Sequence, residues 1–427
     1  MIIFVKINHN NMRYRTLLLI IVIFSLTITK ANSQVWNSQA DNVDNLNAQQ
    51  YTYQLKSVFF ISQTEGWTVG YDSQGSLPYY NSVILKTTDG GINWNSQTSP
   101  VNIGLTSVFF SDSSNGWAVG YNGIILRTTD GGDTWEVSNS NTGQTLNSIY
   151  FLNSSIGYIV GTAGKILSTV DGGATWNAQN SNTFNALNSV VFTSLQTGII
   201  VGDGGIILYT SDGGITWTSQ NSSTTSSLYS TSFPSAQIGY AVGMFGTILK
   251  TTDGGNTWEN QASPVSGFLY SVDFVSTTEG WATGGNGVII HTTDGGTTWS
   301  NVSSGTSSWL YSIDFVSDNL GWVVGNTGVI NSTLVTSNVE SDIYLNSVKI
   351  YPNPSKEYII IDFDNYTSLN GYKLMIKNSL GQQMYQREIM QKSLQIGLTP
   401  WAARGIYYVQ LIDSLNNTVE STRVVIE

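Results

Sequence analysis

The 427-residue sequence contains no cysteine. No disulfide framework and no thiolate metal site can therefore exist. Histidine is almost as scarce: His9 and His291 are the two present, which excludes a multi-histidine metal centre. No metal and no cofactor are expected. Lysine and arginine number 17 against 28 acidic residues, for a formal net charge of −11. Residues 34–337 hold five basic side chains, Lys56, Lys86, Arg127, Lys165 and Lys250. Nucleic acid is excluded as a partner, because holding its phosphates requires clustered lysine and arginine.

Long apolar runs are missing too, apart from one near the start. Arg13 and Arg15 precede an apolar run at 17–28, followed by Thr29-Lys30-Ala31-Asn32-Ser33-Gln34. This is the pattern of a Sec-type signal peptide over residues 1–33, too short for a stable membrane span. Cleavage is expected before Gln34, and Met12 is an alternative start to Met1. Removal would take away Lys6, Arg13, Arg15 and Lys30 and no acidic group, deepening the formal charge from −11 to −15. The mature chain is expected to be exported, without a transmembrane segment, and to act as a monomer.

What the sequence does have is a repeat. Thr87-Thr88-Asp89-Gly90-Gly91-Ile92-Asn93-Trp94 is the first of six copies of one stretch. Its Asp recurs every 41 residues, at Asp130, Asp171, Asp212, Asp253 and Asp294, and its Trp at Trp135, Trp176, Trp217, Trp258 and Trp299. A fixed period near 40 marks stacked supersecondary units that cannot bury their apolar faces alone. The chemistry is that of a tight hairpin. Asp accepts N–H bonds from residues just ahead in an Asx-type turn, and paired glycines permit positive φ. Threonine and tryptophan restart a strand, and the indole packs between neighbouring sheets. Six identical aspartates at one hairpin read as turn-closers rather than catalysts.

Residues 105–138 give one complete unit: apolar strands at 105–110, 116–120, 124–129 and 134–137, separated by turns. Four short strands per 40 residues predict a propeller blade. The first strand recurs seven times, each with a serine: Ser57, Ser107, Ser148, Ser189, Ser230, Ser271 and Ser312. So does the glycine opening the second strand, from Gly66 to Gly321. Seven openings but six closing hairpins leave the last unit without a fourth strand. Val35-Trp36-Asn37-Ser38-Gln39 matches Asn93-Trp94-Asn95-Ser96-Gln97 in four of five places. Residues 35–39 are therefore expected to supply that strand and tie the N-terminus to blade seven; the alternative is six closed blades with a frayed end. The fold class is all-β, a seven-bladed β-propeller over 34–337 followed by a small C-terminal β-sandwich.

One insertion breaks the period. Gly66 to Gly116 is 50 residues, and the extra residues fall at 71–82, with Pro78, Tyr79 and Tyr80. Strand alternation puts this loop on the ring face opposite the Asp turns, together with Tyr121, Asp203, Phe245 and Trp309. Functional groups concentrate in loops on a rigid scaffold. The candidate binding set is thus Tyr71, Tyr79, Tyr80, Tyr121, Asp203, Phe245 and Trp309, suited to stacking on glycan or meeting an extracellular protein. Ordinary surface loops are the alternative.

After a polar linker at 338–344, residues 345–427 alternate short strands and turns: Tyr358-Ile-Ile-Ile-Asp362, Tyr372-Lys-Leu-Met-Ile376 and Gly405-Ile-Tyr407 onward. That predicts the sandwich.

The repeated stretch fits the Asp-box, S/T-x-D-x-G-x-T-W, found in sialidases and sortilin-type receptors. With the Gly-Trp second strand, the ring resembles the photosystem II assembly/stability factor family. That resemblance implies a non-catalytic, protein-binding seven-bladed ring; the family's basic patch is not matched. Ile350-Tyr351-Pro352-Asn353-Pro354, Gly381, Gly405-Ile406-Tyr407 and Arg423-Val424-Val425 are similar to the type A sorting domain of type IX (Por) secretion. It implies the type IX machinery as a partner, a Bacteroidota-type host, passage across the outer membrane, removal of the domain near 338–346, and a secreted or surface-attached product. Sialidase activity is excluded, since that family grips its substrate carboxylate with three arginines and this ring has Arg127 alone. The remaining enzyme reading is a glycoside hydrolase using Asp273 and Asp314, which hold equivalent positions in adjacent blades.

Overall fold

The computed structural model describes residues 36–39, 53–73, 81–333, 348–353, 355–363, 372–378, 382–399, 401, 405–412 and 418–426. The expected leader at 1–33, the expected linker at 338–344, and Tyr79 and Tyr80 of the insertion lie outside them.

Seven antiparallel sheets form the propeller. Their innermost strands are Tyr53–Phe60, Leu105–Phe110, Leu146–Phe151, Leu187–Phe192, Leu228–Ser232, Leu269–Phe274 and Leu310–Ser317. Six sheets are built from four consecutive strands. The seventh is completed from the other end of the chain, where Asn37–Ser38 pairs with Ile330–Ser332, Asn37 opposite Ser332 and Ser38 opposite Asn331. Gln39 N–H donates to the Ile330 carbonyl at 2.7 Å. Blade seven is thereby completed, and backbone bonds from Val58 and Phe60 to Ser312 and Asp314 join it to blade one.

The serine column explains how the blades are spaced. Val58, Val108, Ile149, Val190, Thr231, Val272 and Ile313 each donate a backbone N–H to the serine Oγ of the preceding blade, at 3.2–3.4 Å. A short hydroxyl can reach the neighbouring strand while letting the strands converge. The ring runs through seven such junctions, the last from Val58 to Ser312.

Phenylalanines fill the wedges. Phe110 lies flat on Trp67 of the blade before it, centroids 3.6 Å apart, and edge-on to Trp135 of its own blade at 5.9 Å. The closing contact repeats this geometry: Phe60 stacks on Trp322 at 3.5 Å. Burying each such ring stabilises by about 1.5–3 kcal/mol. Gly116 is glycine because a Cβ there would come within 2.3 Å of the Phe110 ring.

The Asp-boxes form the corners at one end of the ring. Asp130 Oδ1 accepts the Thr134 N–H at 2.9 Å, Oδ2 accepts the Thr134 hydroxyl at 2.6 Å, and Thr128 Oγ1 donates to Oδ1 while accepting the Gly132 N–H. The expected Asx turn is therefore wider, spanning four residues, because the two glycines at φ 75° and 93° bulge the chain outward between them. These donors hold the Asp130, Asp171 and Asp212 carboxyls down to about 2.

The C-terminal region is a sandwich. One sheet contains Thr418–Ile426, Gly405–Ile412, Lys373–Asn378 and Gln383–Glu388; the other contains Val348–Tyr351, Tyr358–Phe363 and Ser393–Gly397. Alternate residues of both sheets, among them Ile359, Ile361, Leu374, Ile376 and Val409, make one core. This sandwich sits on the Asp-box end of the propeller, where Ser317 of the seventh innermost strand pairs with Thr422.

Candidate functional site

All seven innermost strands carry a β-bulge at the same place, between the opening leucine and the serine. A bulge re-aims the side chain it carries. The bulged residues are Lys56, Thr106, Asn147, Asn188, Tyr229, Tyr270 and Tyr311. They surround the mouth of the central channel at the end away from the Asp-boxes.

This mouth has two unlike halves. On one side amides and a hydroxyl are tied to the neighbouring backbone: Thr106 Oγ1 donates to the Leu146 carbonyl, Asn147 Nδ2 to Leu187 and Asn188 Nδ2 to Leu228. Asn188 Nδ2 also donates to Asp203 Oδ1 at 2.9 Å. On the other side aromatic rings follow one another. Tyr229 lies 5.5 Å from Tyr270, and Tyr270 5.4 Å from Tyr311. Trp309, 41% exposed, stands 5.9 Å from Tyr270 and touches Phe268. Its indole donates to Asn286 Oδ1 at 3.3 Å.

Lys56 closes the arc. Its Nζ sits 3.4 Å from the Tyr311 ring centroid and 5.4 Å from that of Tyr71. A cation over a ring face is attracted by the π quadrupole. Burial nevertheless disfavours the charge and lowers the amine to about 8. Burial likewise raises the Tyr270 phenol to about 12, so the rings stay neutral acceptors and stacking faces.

Of the sequence-selected residues, Tyr71 and Tyr121 meet edge-to-face at 5.7 Å, and with Trp309 they join this arc. Asp203 borders its far end, where its charge adds to burial in raising Tyr229. Phe245 is 70% exposed at the tip of a hairpin with φ 58° and makes no ring contact among the described residues. Such a conformation is uncommon for a bulky side chain. Around the insertion, the hairpin is lengthened: Gly66–Asp72 and Asn81–Thr87 pair as far as Asp72 opposite Asn81. Lys56, Tyr229, Tyr270 and Tyr311 were not singled out from sequence. Their signal was available as the column immediately before the repeated serine.

Asp273 and Asp314 lie at the other end of the channel. Asp273 Oδ2 accepts the Phe315 N–H at 2.8 Å and Asp314 Oδ2 accepts the Phe60 N–H at 2.7 Å. Ser232 makes the equivalent bond to Phe274. The aspartates therefore serve as inter-blade acceptors in a second tier below the serines. Burial and the neighbouring Asp314 charge push Asp273 up to about 7.

Comparison with known proteins places this ring. Residues 28–140, 135–225 and 216–306 each match the family described as photosynthesis system II assembly factor YCF48. The chain belongs to the YCF48 family. Two solved YCF48 structures resemble it. One, YCF48 bound to D1 peptide, is 24% identical with a TM-score of 0.55, covering 66% of this chain and 92% of that one. The other, YCF48 from Cyanidioschyzon merolae, is 22% identical with a TM-score of 0.55, covering 70% and 98%. The GH74 xyloglucanase from Xanthomonas campestris, at 12% identity and a TM-score of 0.53, covers 77% of this chain and 59% of that one. At these identities the likeness concerns the fold. No curated protein matches. Beyond the YCF48-like ring, residues 349–427 match the secretion system C-terminal sorting domain. This domain directs the chain through type IX secretion to the cell surface or the extracellular space.

Proposed function

We propose that the chain is an exported, non-catalytic binding propeller that holds glycan on the aromatic half of its channel mouth. Residues 1–33 act as the leader, residues 34–337 as the working ring, and the tail from about 345 leaves during export, after a cut in the 338–346 linker region. The observation carrying the reading is the arc Tyr121, Tyr71, Lys56, Tyr311, Tyr270 and Tyr229, with Trp309 exposed above it. Aromatic faces beside fixed amide donors suit the alternating CH and OH surfaces of a sugar. A non-catalytic role is favoured by the use of Asp273 and Asp314 as structural acceptors, the latter closed over by Arg423.

The test is a glycan array probed with the protein and with Tyr270→Ala, Trp309→Ala and Tyr79→Ala/Tyr80→Ala variants. Retention of a defined glycan, lost in the first two variants, is the expected result. Equal retention by all variants would move the site elsewhere, and no retention on any glycan would leave an extracellular protein as the ligand. Hydrolysis of a polysaccharide, abolished by Asp273→Asn, would overturn the non-catalytic reading.

A further inference from the structure

The lower tier of the channel contains more acid than its own blades neutralise. Around it stand Phe59, Phe109, Tyr150, Val191, Ser232, Asp273 and Asp314, one from each innermost strand. Phe59 and Phe109 pack at 4.8 Å and Phe109 and Tyr150 at 5.5 Å, forming an aromatic wall that starts beside Asp314 and runs away from the two carboxylates. Acid next to ring faces is a receptor for a flat, delocalised cation.

Such a cation is present, and it comes from the tail. Arg423, on the final strand Thr418–Ile426, is 94% buried and enters this tier. Its Nη1 lies 3.5 Å from Asp314 Oδ1 and its Nη2 3.3 Å from Oδ2, with the guanidinium carbon 5.1 Å over the Phe59 ring. Three features mark the fit as loose. Charge-assisted pairs usually close to about 2.7–2.9 Å, and neither contact does. Arg423 Nε is buried without a hydrogen-bond partner. Asp273 stands beside Asp314 and feels the same guanidinium charge, yet makes no ion pair with it among the described residues. Among the described residues the backbone attachment beside this plug is one bridged pair between Ser317 and Thr422, while Val425 packs into the core between blades one and two.

We infer that this lower tier is a binding site for the guanidinium of a partner protein's arginine, occupied before export by the chain's own Arg423 and vacated when the sorting domain leaves. The inference rests on tail release and not on the aromatic mouth, which lies at the opposite end. One arginine replaces another there by exchange of ion-pair contacts, and the one covalent step is hydrolysis of a linker peptide bond by water when the tail is cut. The tail thereby keeps the ring from engaging partners until the chain is outside.

The test uses the full chain and ethylguanidinium as the probe. In the Arg423→Ala chain, calorimetry should find saturable binding at a single site. The unaltered chain, whose site Arg423 occupies, and Arg423→Ala combined with Asp314→Asn, which lacks the carboxylate, should each bind at least about tenfold more weakly. A folded Arg423→Ala chain that binds no ethylguanidinium, or binds it equally with Asp314→Asn, overturns the inference. A second measurement covers a failure of Arg423→Ala to fold. Asp314→Asn in the otherwise unaltered chain should speed amide exchange at Val424 and Val425 about tenfold or more, and unchanged exchange counts against the plug. Glycan retention at the mouth should be the same in all these variants, so failure of one reading is distinguishable from failure of the other.

Discussion

Trp36 stands edge-on to Phe315, ring centroids 5.8 Å apart and planes at 89°. Phe60 and Trp94, Phe110 and Trp135, and Phe274 and Trp299 have the same relationship within blades one, two and six. The N-terminal segment thus supplies blade seven with the tryptophan its missing Asp-box would have carried. Trp36→Ala should cost about 3–5 kcal/mol, the range for a large buried aromatic. Denaturant unfolding measures it, and a cost below 1 kcal/mol would mean the segment is not a working part of the ring.

Gly116→Ala places a methyl against Phe110 and should destabilise by about 1–3 kcal/mol through overpacking. Gly143→Ala is the control. Nothing lies within 4 Å of a Cβ there, so the change should stay within about 0.5 kcal/mol. Thermal melts of the two variants decide it.

The Asp-box carboxyls set an acid limit. With Asp130, Asp171 and Asp212 at about 2 when folded and 3.8 as the ordinary value, the unfolded chain binds protons first as pH falls. Their stabilisation is complete above pH 4 and lost on the way to pH 2. Melting temperatures from pH 5 to 2 should fall, and Asp130→Asn should start lower and fall less.

Asp273 acts in the opposite sense. Its folded value of about 7 lies above 3.8, so the folded chain holds the proton longer, and its contribution is lost as pH rises from about 4 to 7. Asp273→Asn should flatten that part of the stability profile. An unchanged slope would show that another group is responsible.

Lys56 should be an unusually reactive amine. Acylation followed by peptide mapping should give a half-maximal rate near pH 8 for Lys56, whereas an ordinary lysine titrates near 10.5. Tyr311→Leu removes the ring beneath it and should lower the value further, since a cation contact is lost while burial remains.

The parts legible in the sequence were those repeated from blade to blade. The Asp and Trp columns, the serine column and the spare Val35–Gln39 segment recur because each blade faces the same neighbours, and periodicity exposes them. The channel mouth was less legible for the converse reason. Its column varies through Lys56, Thr106, Asn147 and Tyr270, so only its position before the serine is constant. Asp314 and Arg423 could not be joined from sequence at all. They are 109 residues apart, and nothing local to either marks the other as partner.

The division of blade seven between the two chain ends has a kinetic consequence. Gln39 and Ser332, bonded at 3.0 Å, are separated by 293 residues, so this seam is the longest-range contact in the propeller to pay its loop-closure entropy. Blades one to six can each fold from contiguous sequence, while the circle stays an open horseshoe until residue 332 has been delivered. The ring thereby stays unlatched until almost all of its sequence has been made. Pulse-labelled amides at Asn37 and Gln39 should be the last in the ring to gain protection on refolding.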